Sequence, residues 1–339
     1  MMGEYLKARP DRVTVRALVQ LALACVLLGV TPIIVSAAPA YTHDPTMIRE
    51  GDYLYLFATG QGIPVQRTKD LKVWEYLPAV FENIPAWMGK EVPGFAGILW
   101  APDISAHGGI YYLYYSISTF GSNRSCIGLA TNTTLDPRSP GYKWVDAGKV
   151  IDSTPGKDNW NAIDPALSVD TEGHWYLAFG SFWDGIKMIA IEPGRGKALH
   201  DPPEIISLAR RPEVRDDPIE ASYIYRHNDY YYLFVSFDFC CRGTRSNYKV
   251  AVGRSRVITG PYTDEKGTPM SEGGGSIVLE SYDDVHGPGH CSVLREGDRD
   301  LLVHHMYDGK RGGASVLQLR PITWSSEDWP EIGQPLGAP

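Results

Sequence analysis

The chain is expected to be all-β and to fold as a five-bladed β-propeller. Three observations point there. A polar head, an apolar strand, a turn and a second strand recur five times along 339 residues. The copies are DPTMIREGDYLYLFATG from Asp44, APDISAHGGIYYLYYSIS from Ala101, NAIDPALSVDTEGHWYLAFGSFW from Asn161, EASYIYRHNDYYYLFVSF from Glu220 and GHCSVLREGDRDLLVHHMY from Gly289. The second strand of each copy is nearly continuous in apolar and aromatic residues, as in Tyr230 to Val235, which suits a strand covered on both faces. Helical periodicity is unconvincing beyond the first forty residues. A hairpin that cannot bury its own apolar face must stack on neighbours, and five such units set radially make a propeller.

In chain order, Lys7, Arg9, Arg12 and Arg16 precede an apolar run from Ala17 to Val35, and small residues follow at Ser36 to Ala40. This is the layout of a secretory signal peptide occupying residues 1–40 and cleaved near 37–40, with an uncleaved membrane anchor as the minority reading. The mature chain, 41–339, is expected to be a single catalytic propeller domain. Export permits disulfides, yet Cys126, Cys240, Cys241 and Cys291 are too few for a disulfide scaffold. Adjacent Cys240 and Cys241 can form a strained vicinal bond or stay buried thiols. Zinc sites usually space paired ligands two to four residues apart. Asn123-Arg-Ser125 and Asn132-Thr-Thr134 are glycosylation sequons. Residues 77–97, 135–159 and 192–218 are expected to be long connections between units.

The polar heads are expected at Asp44, Asp103, Asp164, Glu220 and His290, each followed within 10 to 13 residues by a strand leucine. In a radial arrangement the heads converge on one axis. Three of them, Asp44, Asp164 and Glu220, open a strand directly after a turn. An isolated Asp-Pro pair reads first as an Asx-type turn. Three carboxylates meeting at one axis read differently, because like charges raise one another's pKa and keep a proton on one of them. A protonated acid facing an ionised base is the machinery of glycosidic hydrolysis. The two histidines His304 and His305 lie on one strand and face opposite sides, so both cannot easily serve one ion, and His305 is expected to face the cavity. Without its first forty residues the chain carries 28 Lys and Arg against 38 Asp and Glu. That balance argues against nucleic acid and for a neutral carbohydrate.

The ordered set His43-Asp44-Pro45, Trp100-Ala-Pro-Asp103, Asn161-Ala-Ile-Asp-Pro165 and Gly287-Pro-Gly-His290 resembles the motifs of glycoside hydrolase family 43. GSFWDGIKMIAI, FVSFDFCCRG and VGRSRVITGPY resemble its endo-1,5-α-L-arabinanases more narrowly, and the likeness spans Tyr41 to Pro330. The resemblance implies a five-bladed propeller that cleaves internal α-1,5-L-arabinofuranosidic linkages with inversion. It implies Asp44 as general base, Glu220 as general acid and Asp164 as the carboxylate that orients the acid and tunes its pKa. It further implies a calcium ion near the axis, mostly water-coordinated, with His290 beside it, and sugar contacts at Trp100, Phe120, Asn161, Ser181 and Phe182. The expected partner is arabinan in the pectin side chains of plant cell walls. Neither nucleic acid nor, after leader cleavage, membrane is expected, and the secreted chain is expected to be a monomer. An exo-acting α-L-arabinofuranosidase or β-xylosidase on the same fold is the alternative, followed by a non-catalytic sugar-binding propeller.

Overall fold

The computed structural model describes residues 35–36 and 41–337. The expected leader, with Cys25 and the cleavage point, falls essentially outside these residues. From Ser36 onward the chain forms one compact unit. Among the described residues no helix is long and apolar enough to cross a membrane.

Five antiparallel sheets form the blades, and from Thr46 onward the chain enters each near its inner edge and runs outward. Blade 1 runs Thr46–Glu50, Tyr53–Phe57, Val65–Thr68 and Trp74–Leu77, and blade 2 runs Ile98–His107, Ile110–Ile117, Ser125–Asn132 and Val145–Ser153. Blade 3 holds Ala166–Val169, Trp175–Phe179 and Ile186–Glu192, with Lys197–Ala198 and Ile206–Ala209 both paired to the last of these. Blade 4 comprises Ile219–His227, Tyr230–Phe237, Lys249–Ser255 and Ser276–Leu279, and blade 5 comprises Val285–Glu296, Arg299–Asp308, Ala314–Trp324 and Pro330–Ile332. The repeated hairpins are thus the two inner strands of every blade.

The apolar core is divided into five clusters, one at each blade junction. Strand alternation explains why the second strands are apolar throughout. Tyr112 and Tyr114 pack with Leu167 and Leu177 of blade 3, whereas Leu113 and Tyr115 pack with Tyr55 and Phe57 of blade 1. Each such side chain contributes roughly 1.5–3 kcal/mol by leaving water. The ring closes in the same way. Met47, Leu54, Leu56 and Trp74 of blade 1 meet Leu294, Leu301, Val303 and Leu319 of blade 5. Backbone pairing adds Thr42 N–H donating to Ser315 O at 3.2 Å, and Ser315 Oγ returns a bond to Thr42 O at 2.6 Å.

The connections expected at 135–159 and 192–218 contain outer strands. Val145–Ser153 alternates poorly and breaks register twice against its partner, so it carries no periodic signal. Residues 77–97 include the short helix Ala86–Glu91, whose Met88 anchors it in the first junction. Both sequon asparagines are buried. Asn123 Nδ2 donates to the carbonyls of Asp158 and Trp160, each at 3.0 Å, and Asn132 Oδ1 caps Thr133 N–H at 2.9 Å. Neither side chain can carry a glycan in this fold.

Candidate active site

Each inner strand has a residue in the left-handed region, either two positions before it or in its first half: Asp44 at φ 50°, Ala101 at 45°, Asp164 at 58°, Ala221 at 55° and His290 at 50°. Such a conformation costs an L-residue about 1–2 kcal/mol, so its surroundings must hold it. Here the N–H of each is bonded to a side chain of the preceding blade. Ala101 N–H donates to Thr59 Oγ1 at 2.8 Å, Asp164 N–H to Ser116 Oγ at 2.9 Å and His290 N–H to Ser236 Oγ at 2.8 Å. Asp44 N–H closes the ring onto His305 Nδ1 at 3.1 Å.

This geometry corrects two of the expected heads. The structural equivalents of Asp44 are Ala101 and Ala221, not Asp103 and Glu220. Register breaks after Trp100 and after Glu220 insert residues locally, so matching by charge shifted the frame. Asp103 instead points to blade 3, where Oδ2 accepts the Leu167 N–H at 2.8 Å, and burial pushes its carboxyl up to about 7. Glu220 precedes its left-handed residue and still faces the axis.

The bonding residue stands three positions after the strand leucine in every copy: Thr59, Ser116, Gly180, Ser236 and His305. Blade 3 is the exception in chemistry, since Gly180 has no side chain and φ 131°. An added Cβ there would meet Gly185 O at 2.4 Å. In its place Asp164 Oδ2 accepts the Ala221 N–H at 3.1 Å. The missing side chain is therefore what draws Asp164 across to the residue next to Glu220.

Asp44 is the most heavily paired carboxylate. Its Oδ1 lies 2.7 Å from His43 Nδ1 and 3.1 Å from His290 Nδ1, and its Oδ2 accepts Thr59 Oγ1–H at 2.5 Å. Burial opposes ionisation, but the charges and hydrogen bonds of His43 and His290 win and hold Asp44 well below the usual carboxylate range. Glu220 behaves oppositely. Ser181 Oγ–H donates to Oε2 at 2.5 Å and the Tyr248 hydroxyl donates to Oε1, yet burial dominates and raises the acid. Asp164 is raised too, by burial first, with Glu220 and Asp44 adding against the charge of His290. His290 itself is pushed up to about 9, because the surrounding carboxylates outweigh its burial. His305 stays neutral: burial, with His43 next, lowers it well below its ordinary value. As expected, His304 faces away, its Nδ1 bonded to His305 O at 2.9 Å.

The expected sugar contacts divide. Trp100 and Phe120 form an aromatic pair with centroids 5.0 Å apart, and Phe120 is 83% exposed. Phe182 pairs with Phe239 at 5.6 Å. Ser181 is buried and spends its hydroxyl on Glu220. Asn161 is buried with Oδ1 accepting from Ser125 Oγ–H at 2.7 Å. These two are held as supports of the site wall.

The sequence model of Glycosyl hydrolases family 43 matches residues 36–330. The chain belongs to glycosyl hydrolase family 43. It is 42% identical over 322 residues to an extracellular exo-α-(1→5)-L-arabinofuranosidase of Cellvibrio japonicus, covering 93% of this chain and 91% of that one. It is equally 42% identical to an extracellular endo-α-(1→5)-L-arabinanase of Bacillus subtilis, covering 88% and 93%. Among solved structures, an exo-1,5-α-L-arabinanase from a bovine ruminal metagenomic library superposes with TM-score 0.85 at 43% identity, over 88% of this chain and 99% of that chain. An endo-arabinanase of Bacillus licheniformis gives TM-score 0.81 at 42% identity, over 87% and 98%. The chain is a glycoside hydrolase on a five-bladed propeller.

In this family 43 propeller, His290 offers a cation one imidazole nitrogen. Calcium takes six to eight oxygens, so protein donors alone do not complete its shell here. The carboxylates that raise His290 do suit a hydrated cation. His43, Thr59 and Tyr248 were not identified as supports from sequence, whereas His305 was expected at the cavity without its bond to Asp44 N–H. The +3 rule after each leucine would have found Thr59 and His305, whereas Tyr248 has no sequence signal.

Proposed function

We propose that the protein is a secreted endo-acting hydrolase of α-1,5-L-arabinan that inverts the anomeric carbon. The observation that carries this is the opposed setting of two clustered carboxyls: Asp44, paired with His43 at 2.7 Å and His290 at 3.1 Å, is shifted down, whereas Glu220, buried against Ser181 and Tyr248, is shifted up. Asp44 takes a proton from water as that water attacks the anomeric carbon. The bond from that carbon to the leaving oxygen breaks, and Glu220 delivers its proton there. Asp164 fixes the backbone beside Glu220 and adds repulsion that keeps the proton on the pair. A calcium ion beside His290, with water filling most of its shell, would supply positive charge near the carboxylates.

Two aromatic pairs support internal cleavage. Trp100–Phe120 stands on blade 2 and Phe182–Phe239 joins blades 3 and 4. All four residues sit where inner strands begin or second strands end, which is the carboxylate end of the sheets. Platforms on different blades suit sugar rings bound on both sides of the scissile bond. The names of both relatives as extracellular support secretion.

The test is a product time course on linear 1,5-α-arabinan with anomer detection by proton NMR. Short oligosaccharides whose new reducing ends appear first as the β-anomer are expected. Early accumulation of one small product with unchanged viscosity would replace endo by exo action. Glu220→Gln should slow arabinan hydrolysis at least ~100-fold while sparing aryl arabinosides with good leaving groups.

A further inference from the structure

The connection after the second strand of blade 4 carries Cys240 and Cys241, which the proposed chemistry does not use. Both are free thiols, Cys240 partly buried and Cys241 exposed. Across the ring closure, His43 of blade 1 presents Nε2 to them, 3.7 Å from Cys241 Sγ. The three donor atoms all lie within 4.8 Å of one another. The other ring nitrogen, Nδ1, is fixed on Asp44 Oδ1 at 2.7 Å. An imidazole with one nitrogen on a carboxylate and the other facing two thiols has the orientation of a metal-ligating histidine. Spacing along the chain argued against zinc here, because Cys240 and Cys241 are adjacent, and the third donor, 198 residues away, carried no sequence signal.

The geometry suits a thiophilic ion. Bonds of about 2.3 Å to sulfur and about 2.1 Å to nitrogen in a tetrahedron place those donors about 3.6 Å apart. The observed separation is 3.7 Å. The loop is already held in place. Cys241 N–H donates to the Tyr307 hydroxyl at 2.7 Å, and Phe239 and Asn247 exchange bonds of 3.2 and 3.1 Å across its base. The Tyr307 hydroxyl lies 2.8 Å from His43 Nε2, a contact that an ion on that nitrogen would replace.

We propose that His43, Cys240 and Cys241 form a binding site for one thiophilic divalent cation of the zinc–cadmium class, with the fourth position open to water. Binding releases the thiol protons and leaves His43 Nδ1–H donating to Asp44. The ion's charge, passed through that imidazole, makes Asp44 a weaker base, so occupancy inhibits hydrolysis. The inhibition rests on Asp44 as general base; the binding does not.

The experiment titrates reduced mature protein, in excess calcium, with cadmium, following thiolate-to-cadmium ultraviolet absorption and arabinan hydrolysis in parallel. One ion per chain is expected, with hydrolysis falling at least tenfold as the band saturates. The Cys240→Ser, Cys241→Ser double variant should keep the metal-free rate and lose both band and inhibition. Absence of the band in the reduced wild type, or its persistence in the double variant, overturns the site. A saturating band with hydrolysis intact upholds the site and overturns the inhibition, and with it the coupling to Asp44.

Discussion

At the scale of single residues, the site depends on which hydroxyls reach which carboxyls. The Tyr248 hydroxyl bonds to Glu220 and so favours its charged form against burial. Tyr248→Phe removes that bond, Glu220 then keeps its proton to higher pH, and the alkaline limb of kcat/KM should move upward. An unmoved or lowered limb would show that Tyr248 does not tune the acid. Asp103 gives a stability counterpart. Its folded pKa of about 7 lies above the ordinary carboxyl value, so folding binds a proton that the unfolded chain releases. Stability from this group is present at low pH and is lost as pH rises toward 7. Asp103→Asn keeps an acceptor for Leu167 N–H and should raise the urea midpoint more at pH 8 than at pH 5. That Asp44, Asp164 and Glu220 cluster was legible from sequence because residue type and place near the start of a strand agree. Motif likeness located Ser181 and Asn161 without showing that their side chains bond to Glu220 and Ser125.

At the scale of elements, the hairpins were legible and the outer strands were not. Inner strands are sandwiched between blades and must be apolar, whereas Val145–Ser153 faces solvent on its outer side and needs no pattern. The hydroxyl bonds that hold the left-handed openings belong to this scale. Ser116→Ala leaves the buried Asp164 N–H without its partner and should cost about 1–3 kcal/mol. A urea midpoint shifted at constant slope is the expected reading, and an unshifted midpoint would show that the bond does not hold that turn. The repeat frame slipped at Asp103 and Glu220 because a register break of one residue is invisible to matching by charge. The leucine frame, with spacings of 12, 12, 13, 12 and 12 from the left-handed residue, was the sounder ruler.

At the scale of the whole molecule, five junctions of one kind lie in series around the axis. The closing junction between blades 5 and 1 uses side chains like those of any other, so Leu301→Ala should cost about 2–5 kcal/mol, as Leu113→Ala should. Both variants should unfold in one transition; a separate early transition in Leu301→Ala alone would mark the closure as a weak seam. The radial arrangement was legible because five copies of a half-finished unit have few other ways to cover themselves. The ring bonds also have a consequence for altering the protein. The backbone at each strand opening is held by the preceding blade and not by the side chain it carries, so the mount and the tool are separate parts. Asp44, Asp164 and His290 fill three mounts, and Ala101 and Ala221 leave two nearly bare. Those alanines are mounts without a tool; asparagine or aspartate suits their left-handed backbone better, but both sites are buried, so fitting one means carving room among the neighbours first.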